Sequence, residues 1–199
     1  MKGIDVSDNN GELNWSAIQK YNQNNPDRQI EFAIIASSYG SSGRHDRFLE
    51  NVNGAHEIGL KCGAFHYSYA ISPEHPALEA ANCKDAIDSA GVMLELPVFY
   101  DMEDTDHWKR DRGWLPQNND VTAYCRDFIN KLGLNCGVYA SYSWLENYID
   151  WRSLGCSVWN AQWGNSDDLK GYMWQYTDSL YIPSFTANDK PVDADILYL

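Results

Sequence analysis

Asp101 and Glu103 stand two residues apart at the end of an apolar run, LPVFYDMED. In an extended strand, residues i and i+2 face the same side, about 6.6 Å apart along the backbone. Both carboxyls therefore enter one pocket, and Met102 between them points the other way. Two acids held that close do not ionise independently, so one pKa rises and a proton donor is available near neutral or mildly acidic pH. Paired carboxylates of this kind cleave glycosidic bonds. Asp-x-Glu alone would equally suit a solvated strand end. The functional reading rests on the apolar strand before it and on acids at two other strand ends, Asp5 in GIDVS and Asp193 in VDADI.

A scaffold must bring residues 5, 101, 103 and 193 together. Eight β-like segments are predicted: Lys2–Val6, Phe32–Ser37, Lys61–Ser68, Leu96–Glu103, Asn135–Ala140, Ser157–Ala161, Tyr172–Tyr176 and Val192–Leu197. Several are continuous apolar runs of the kind buried on both faces of a parallel sheet. Between them lie helical patterns. Val121, Tyr124, Cys125, Phe128, Ile129 and Leu132 form an i, i+3, i+4, i+7 stripe, capped by Asn119 or Asp120 and closed by Gly133. Phe48, Val52 and Ala55 with Gly59 read likewise; Pro76 starts a helix toward Gly91, and Asn14 and Ser141 are caps for two more. The first five strands start about 30 to 38 residues apart, enough for a crossover helix each, and the later gaps fall to roughly 15 to 22. The expected fold is a single-domain α/β barrel over residues 1–199. Its first five strands carry helices, its last three mostly loops, and its chemistry lies at the C-terminal strand ends.

At 199 residues the chain has room for one ordinary domain and a core that needs neither disulfide nor metal. Its 44% hydrophobic and 22% charged residues exclude a disordered chain. The formal charge of −13, from 15 Lys plus Arg against 28 Asp plus Glu, argues against nucleic acid and against an anionic membrane face. Eight Trp and 13 Tyr exceed what such a core requires and suit a sugar-binding groove. The five cysteines (62, 83, 125, 136, 156) are odd in number and lack CxxC or short His spacings, so buried thiols are expected rather than a disulfide framework or a zinc site. No apolar run approaches a membrane span. The N-terminus has no long apolar segment, so synthesis in the cytoplasm without a signal peptide is expected.

GIDVSDNNGELNW, CGAFHYSYA, LPVFYDMED, CGVYASYSWL, VWNAQW, MWQYT and VDADI, taken in order, resemble the strand motifs of glycoside hydrolase family 25, the Chalaropsis-type lysozymes. The resemblance covers essentially the whole chain. It implies a TIM-like (β/α)5(β)3 barrel without a separate wall-binding domain. It also implies hydrolysis, with no metal or other cofactor, of the β-1,4 bond between N-acetylmuramic acid and N-acetylglucosamine in bacterial peptidoglycan. By position, Glu103 resembles the general acid/base and Asp101 the acid that supports the substrate's 2-acetamido group as internal nucleophile; direct attack by Asp101 is the alternative. Asp5 and Asp193 resemble the pocket's further acids, with Asp193 preferred over Asp195 because it follows Val192. Tyr67, Tyr139 and Gln175 match substrate-touching positions, and Trp163 and Trp174 are further binding candidates. Tyr176 lies near the same strand end, Tyr100 is expected to face the helix layer, and His66 is expected to be a buried, hydrogen-bonded residue. Asp101, Glu103, Asp104 and Asp106 lack the ligand spacing of a cation site. Two other readings keep the same pocket: a hydrolase of another polysaccharide such as chitin, and a non-catalytic glycan-binding barrel. The expected lack of a leader suggests action on the cell wall after release of the phage endolysin type, or secretion by another route.

Overall fold

A computed structural model describes residues 1–198, apart from the side chains of residues 118 and 119. In chain order the described residues form β1 (Lys2–Val6), α1 (Trp15–Asn24), β2 (Ile30–Tyr39), β3 (Gly43–Arg44), α2 (Phe48–Glu57), β4 (Lys61–Tyr67) and α3 (His75–Ala90). There follow β5 (Val98–Asp101), α4 (Asn118–Leu132), β6 (Cys136–Ser141), α5 (Tyr142–Asn147), β7 (Ser157–Ala161), β8 (Met173–Leu180) and β9 (Val192–Leu197).

Eight of these strands close a barrel. β1, β2, β4, β5, β6, β7 and β8 pair in parallel, and β9 runs antiparallel between β8 and β1. The short β3 folds back on the end of β2, outside the barrel. Five strands are followed by helices and the last three by loops or the chain end, as the spacing predicts. Because β9 is reversed, its N-terminal end meets the C-terminal ends of the other strands. Asp193 thereby sits opposite Asp5, while Asp195 pairs with Gly3 one layer deeper.

Side-chain alternation divides the core in two. Phe32, Ile34, Phe99, Trp159, Met173 and Leu197 fill the bore, and Gly3 leaves the Phe32 ring its space, since a Cβ there would overlap it. The opposite faces, including Ile4, Ile35, Ala64, Val98, Tyr100 and Val138, pack against the helices. In α4 the stripe Val121, Tyr124, Cys125, Phe128 and Leu132 is buried, and the left-handed Gly133 (φ 70°) ends the helix. That helix starts at Asn118, so the expected caps Asn119 and Asp120 fall inside its first turn, and the side chain of Asn119 lies outside the description. Asn14 precedes α1 without capping it: its Oδ1 accepts from Ser16 Oγ instead. Ser141 does cap α5, accepting from Trp144 N at 3.3 Å. All five cysteines are free, four of them buried. Among the described residues no helix is long and apolar enough to cross a membrane.

Candidate active site

Asp5, Asp101, Glu103 and Asp193 line one cavity of about 610 Å³ at the C-terminal mouth of the barrel. Asp101 is the last residue of β5, and Glu103 lies just beyond the strand end rather than within it. Met102, between them, is fully buried in the outer layer, so the two acids share the cavity face. Burial pushes the Asp101 carboxyl well above its usual range, and the Glu103 charge adds to this. Glu103 is raised too, chiefly by burial, while a hydrogen bond from Thr105 Oγ1 (2.9 Å) opposes the rise. The pair therefore retains a proton where isolated carboxyls would have lost both. Among the described residues, Asp101 Oδ1 and the Tyr67 hydroxyl are buried without a hydrogen-bond partner, and both residues line the cavity.

The facing wall is organised by Gln175. Its Nε2 donates to Asp5 Oδ2 (2.9 Å) and Asp193 Oδ2 (3.1 Å), and its Oε1 accepts from Tyr139 O–H (3.1 Å) and Trp163 Nε1 (3.2 Å). These four bonds fix which way the amide points. Asp193 is pushed up to about 6 by burial and by Asp178. Asp5 is raised well above its usual range by burial and by Asp195 and Asp193. Asp195 is fully buried beneath them, accepting from Trp159 Nε1 at 2.8 Å. Asp193, not Asp195, lines the cavity.

Tyr67, Tyr139 and Gln175 also line the cavity, Tyr67 and Tyr139 flanking Asp101 on the neighbouring strands. Trp163 stands 62% exposed near the mouth, its Nε1 bonded to Gln175. Trp174 departs from expectation. As the neighbour of inward-facing Gln175 it points to the opposite side of β8; it is buried, its Nε1 donates to Gln162 O (2.7 Å), and its ring packs against Tyr176. Neither tryptophan is a cavity-lining residue. Tyr100 faces the helix layer, stacked on Phe128 at 3.9 Å. His66 is buried, bonded through Nδ1 to Ser38 Oγ (2.8 Å) and held near 3 by burial, and therefore neutral.

Sequence reasoning missed the support behind the acids. Lys109 is fully buried; its Nζ donates to Ser68 O (2.6 Å) and to the Glu103 carbonyl, and it lies 5.6 Å from the centre of the Tyr67 ring. Glu79 of α3 is also buried and accepts from Tyr69 N (2.7 Å), Ser68 Oγ (3.0 Å) and Tyr100 O–H (2.5 Å). Burial pulls the Lys109 pKa down, whereas Glu79 and Asp101 push it back up. The one signal in the sequence was a lysine inside the acidic stretch DMEDTDHWKRD. Asp104 is spent on that turn, accepting from Lys109 N (2.7 Å) and Arg110 N (3.0 Å), and Asp106 accepts from Tyr69 O–H (2.9 Å). Trp159 was missed as well: its ring lines the cavity floor between Tyr139 and Phe99.

Residues 4–185 match the family model of Glycosyl hydrolases family 25. Lysozyme M1 of Streptomyces globisporus is 32% identical over 207 aligned residues, covering 89% of this chain and 62% of its own. The autolytic lysozyme of Clostridium acetobutylicum is 25% identical over 182 residues, 90% of this chain and 51% of its own. The chain thus spans between half and two thirds of the length of these curated relatives. The modular autolysin LytC from Streptococcus pneumoniae, solved in complex with a synthetic peptidoglycan ligand, shares the fold. Its TM-score is 0.85 at 20% identity, over 99% of this chain and 46% of that one. With a family match across nearly the whole chain and a barrel of the same fold, the chain belongs to glycosyl hydrolase family 25.

Proposed function

We propose that the protein is an N-acetylmuramidase. It cleaves the β-1,4 bond between N-acetylmuramic acid and N-acetylglucosamine in bacterial peptidoglycan, with retention at the anomeric carbon. The observation that carries this reading is the Asp101–Glu103 pair, two carboxyls that share one cavity with Asp5 and Asp193 and that burial shifts upward. The relatives named as lysozymes support the substrate class.

Glu103 gives its proton to the glycosidic oxygen as the bond from that oxygen to C1 breaks. The carbonyl oxygen of the substrate's own acetamido group attacks C1 from the other face. Its nitrogen becomes positive, and its N–H is donated to the unpaired Oδ1 of Asp101. Arrival of that donor draws Asp101 into its carboxylate form and leaves the shared proton on Glu103. Water, deprotonated by Glu103, then attacks C1 and reopens the ring. Two inversions give net retention. Asp5 and Asp193, oriented by Gln175, face the sugar from the opposite wall.

The test is digestion of purified cell walls with the new reducing ends identified. Muramic acid at the reducing end is expected; glucosamine ends, or activity on chitin alone, would point to another polysaccharide hydrolase. Binding without turnover would point to a glycan-binding barrel. Glu103→Gln retains shape but not the proton, and general acid catalysis is worth about 10²–10⁴, so a loss of at least a hundredfold with the fold intact is expected.

A further inference from the structure

We propose that His56, Cys62 and Glu95 form a binding site for a zinc-class divalent cation at the end of the barrel opposite the acid cavity. Cys62 is the second residue of β4, Glu95 precedes β5 and His56 lies in the last turn of α2, so the site joins three elements at the N-terminal strand ends. None of the three lines the catalytic cavity.

The geometry is close to that of a bound ion. One imidazole nitrogen, the thiol sulfur and a carboxylate oxygen all lie within 4.8 Å of one another, and His56 Nε2 is 3.2 Å from Glu95 Oε2. Bond lengths of about 2.0–2.3 Å in a tetrahedral zinc site put ligand atoms roughly 3.3–3.8 Å apart. The His56–Glu95 separation lies just below that range and no separation exceeds 4.8 Å, so side-chain adjustments of about 1 Å or less complete the coordination, with solvent as the fourth ligand.

A surface His–Glu pair would not carry this reading by itself. What distinguishes it is the third ligand, rising from the core behind the pair. Cys62 is fully buried, and its sulfur makes a long hydrogen bond to Val52 O, at 3.9 Å. The same Glu95 Oε2 accepts from Cys62 N at 2.9 Å, which holds the carboxylate over the sulfur. His56 and Glu95 remain partly exposed and leave a path in from solvent. On binding, the thiol proton leaves to solvent and a sulfur–metal bond takes its place. The mixed nitrogen, sulfur and oxygen donor set suits Zn²⁺ or Co²⁺ and not Mg²⁺ or Ca²⁺, which prefer oxygen. Ligands 6 and 33 residues apart evade any search for short-spaced cysteine motifs, which is why the sequence suggests no zinc site.

The full chain, reduced and stripped of metal, would be titrated with Co²⁺. One equivalent is expected to bind, with the intense near-ultraviolet sulfur-to-cobalt absorption of a thiolate ligand, and Zn²⁺ is expected to displace it. Cys62→Ser should abolish that absorption. His56→Ala, a partly exposed position that keeps the core intact, should weaken Co²⁺ binding at least tenfold while wall lysis stays unchanged. Added Zn²⁺ should raise the Tm of the unmodified protein by several degrees, and chelation should reverse this without altering the lysis rate. Absence of the sulfur-to-cobalt band, its persistence in Cys62→Ser, unchanged Co²⁺ affinity in His56→Ala, or equal stabilisation by Mg²⁺ would each overturn the assignment.

Discussion

Lys109 donates its buried ammonium to the main-chain carbonyl of Glu103. A second bond to Ser68 O ties the turn after β5 to the end of β4. The cation therefore sets the position of the general acid through the backbone, and its charge lowers both Asp101 and Glu103 against the upward push of burial.

Lys109→Met keeps much of the volume and removes both functions. Two buried carbonyls lose their donor, at about 1–3 kcal/mol each, and a displacement of about 1 Å at the acid is worth on the order of a hundredfold in rate. A fall in kcat of roughly ten- to a hundredfold is expected, with KM little changed. The acid limb of the pH–rate profile should move upward, because the carboxyls lose a stabilising positive charge. A merely structural lysine would lower Tm but leave that limb in place, and such a result would remove Lys109 from the acid's support.

The division of labour between the two acids is open to substrate chemistry. A soluble substrate with a good leaving group needs little protonation, so it should partly rescue Glu103→Gln and leave Asp101→Asn impaired. Equal rescue of both variants would contradict the separate roles. The first product anomer, followed by NMR on a soluble wall fragment, should be β; initial α-anomer would mean single displacement by water.

Stability should fall as pH rises from about 4 to 6. Asp193, ordinarily at 3.8, is held at about 6, and Asp5, Asp101 and Asp195 are displaced in the same direction. A raised carboxyl pKa means that the folded state binds protons more tightly than the unfolded chain. Its contribution is complete below the unfolded value and lost as pH climbs through the folded one. Asp193→Asn should flatten part of that decline in Tm measured by calorimetry. A slope unchanged by the substitution would mean that other groups cause it.

The two tryptophans should separate cleanly. Trp163→Ala, at an exposed position beside the mouth, should raise KM by up to about tenfold, the worth of one sugar-stacking ring, with Tm nearly constant. Trp174→Ala should destabilise by about 3–5 kcal/mol and leave KM alone. The reverse pattern would restore Trp174 to the substrate groove.

The strands and the acids were legible because both depend on local pattern. Apolar runs such as FAIIA name their own burial, and the i, i+2 spacing of Asp101 and Glu103 survives even though β5 stops at Asp101. Alternation also contained the correction for Trp174, since it and Gln175 are adjacent on β8 and cannot both face inward. Other residues took their meaning from distant partners. Lys109 matters through Ser68, 41 residues away, and Asp195 through Trp159, 36 away; His56 and Glu95 meet across 39. Nothing in the neighbouring sequence announces such pairs.

The seating of β9 against β1 has a consequence for synthesis. Asp5 is made well before Asp193, yet they are register partners in the finished sheet. Pairing of the two strands, and with it the bridging amide of Gln175, must wait until β9 has left the ribosome. A nascent chain that has not yet delivered β9 therefore carries Asp101 and Glu103 without the wall that faces them, and the four acids come together only once β9 is seated.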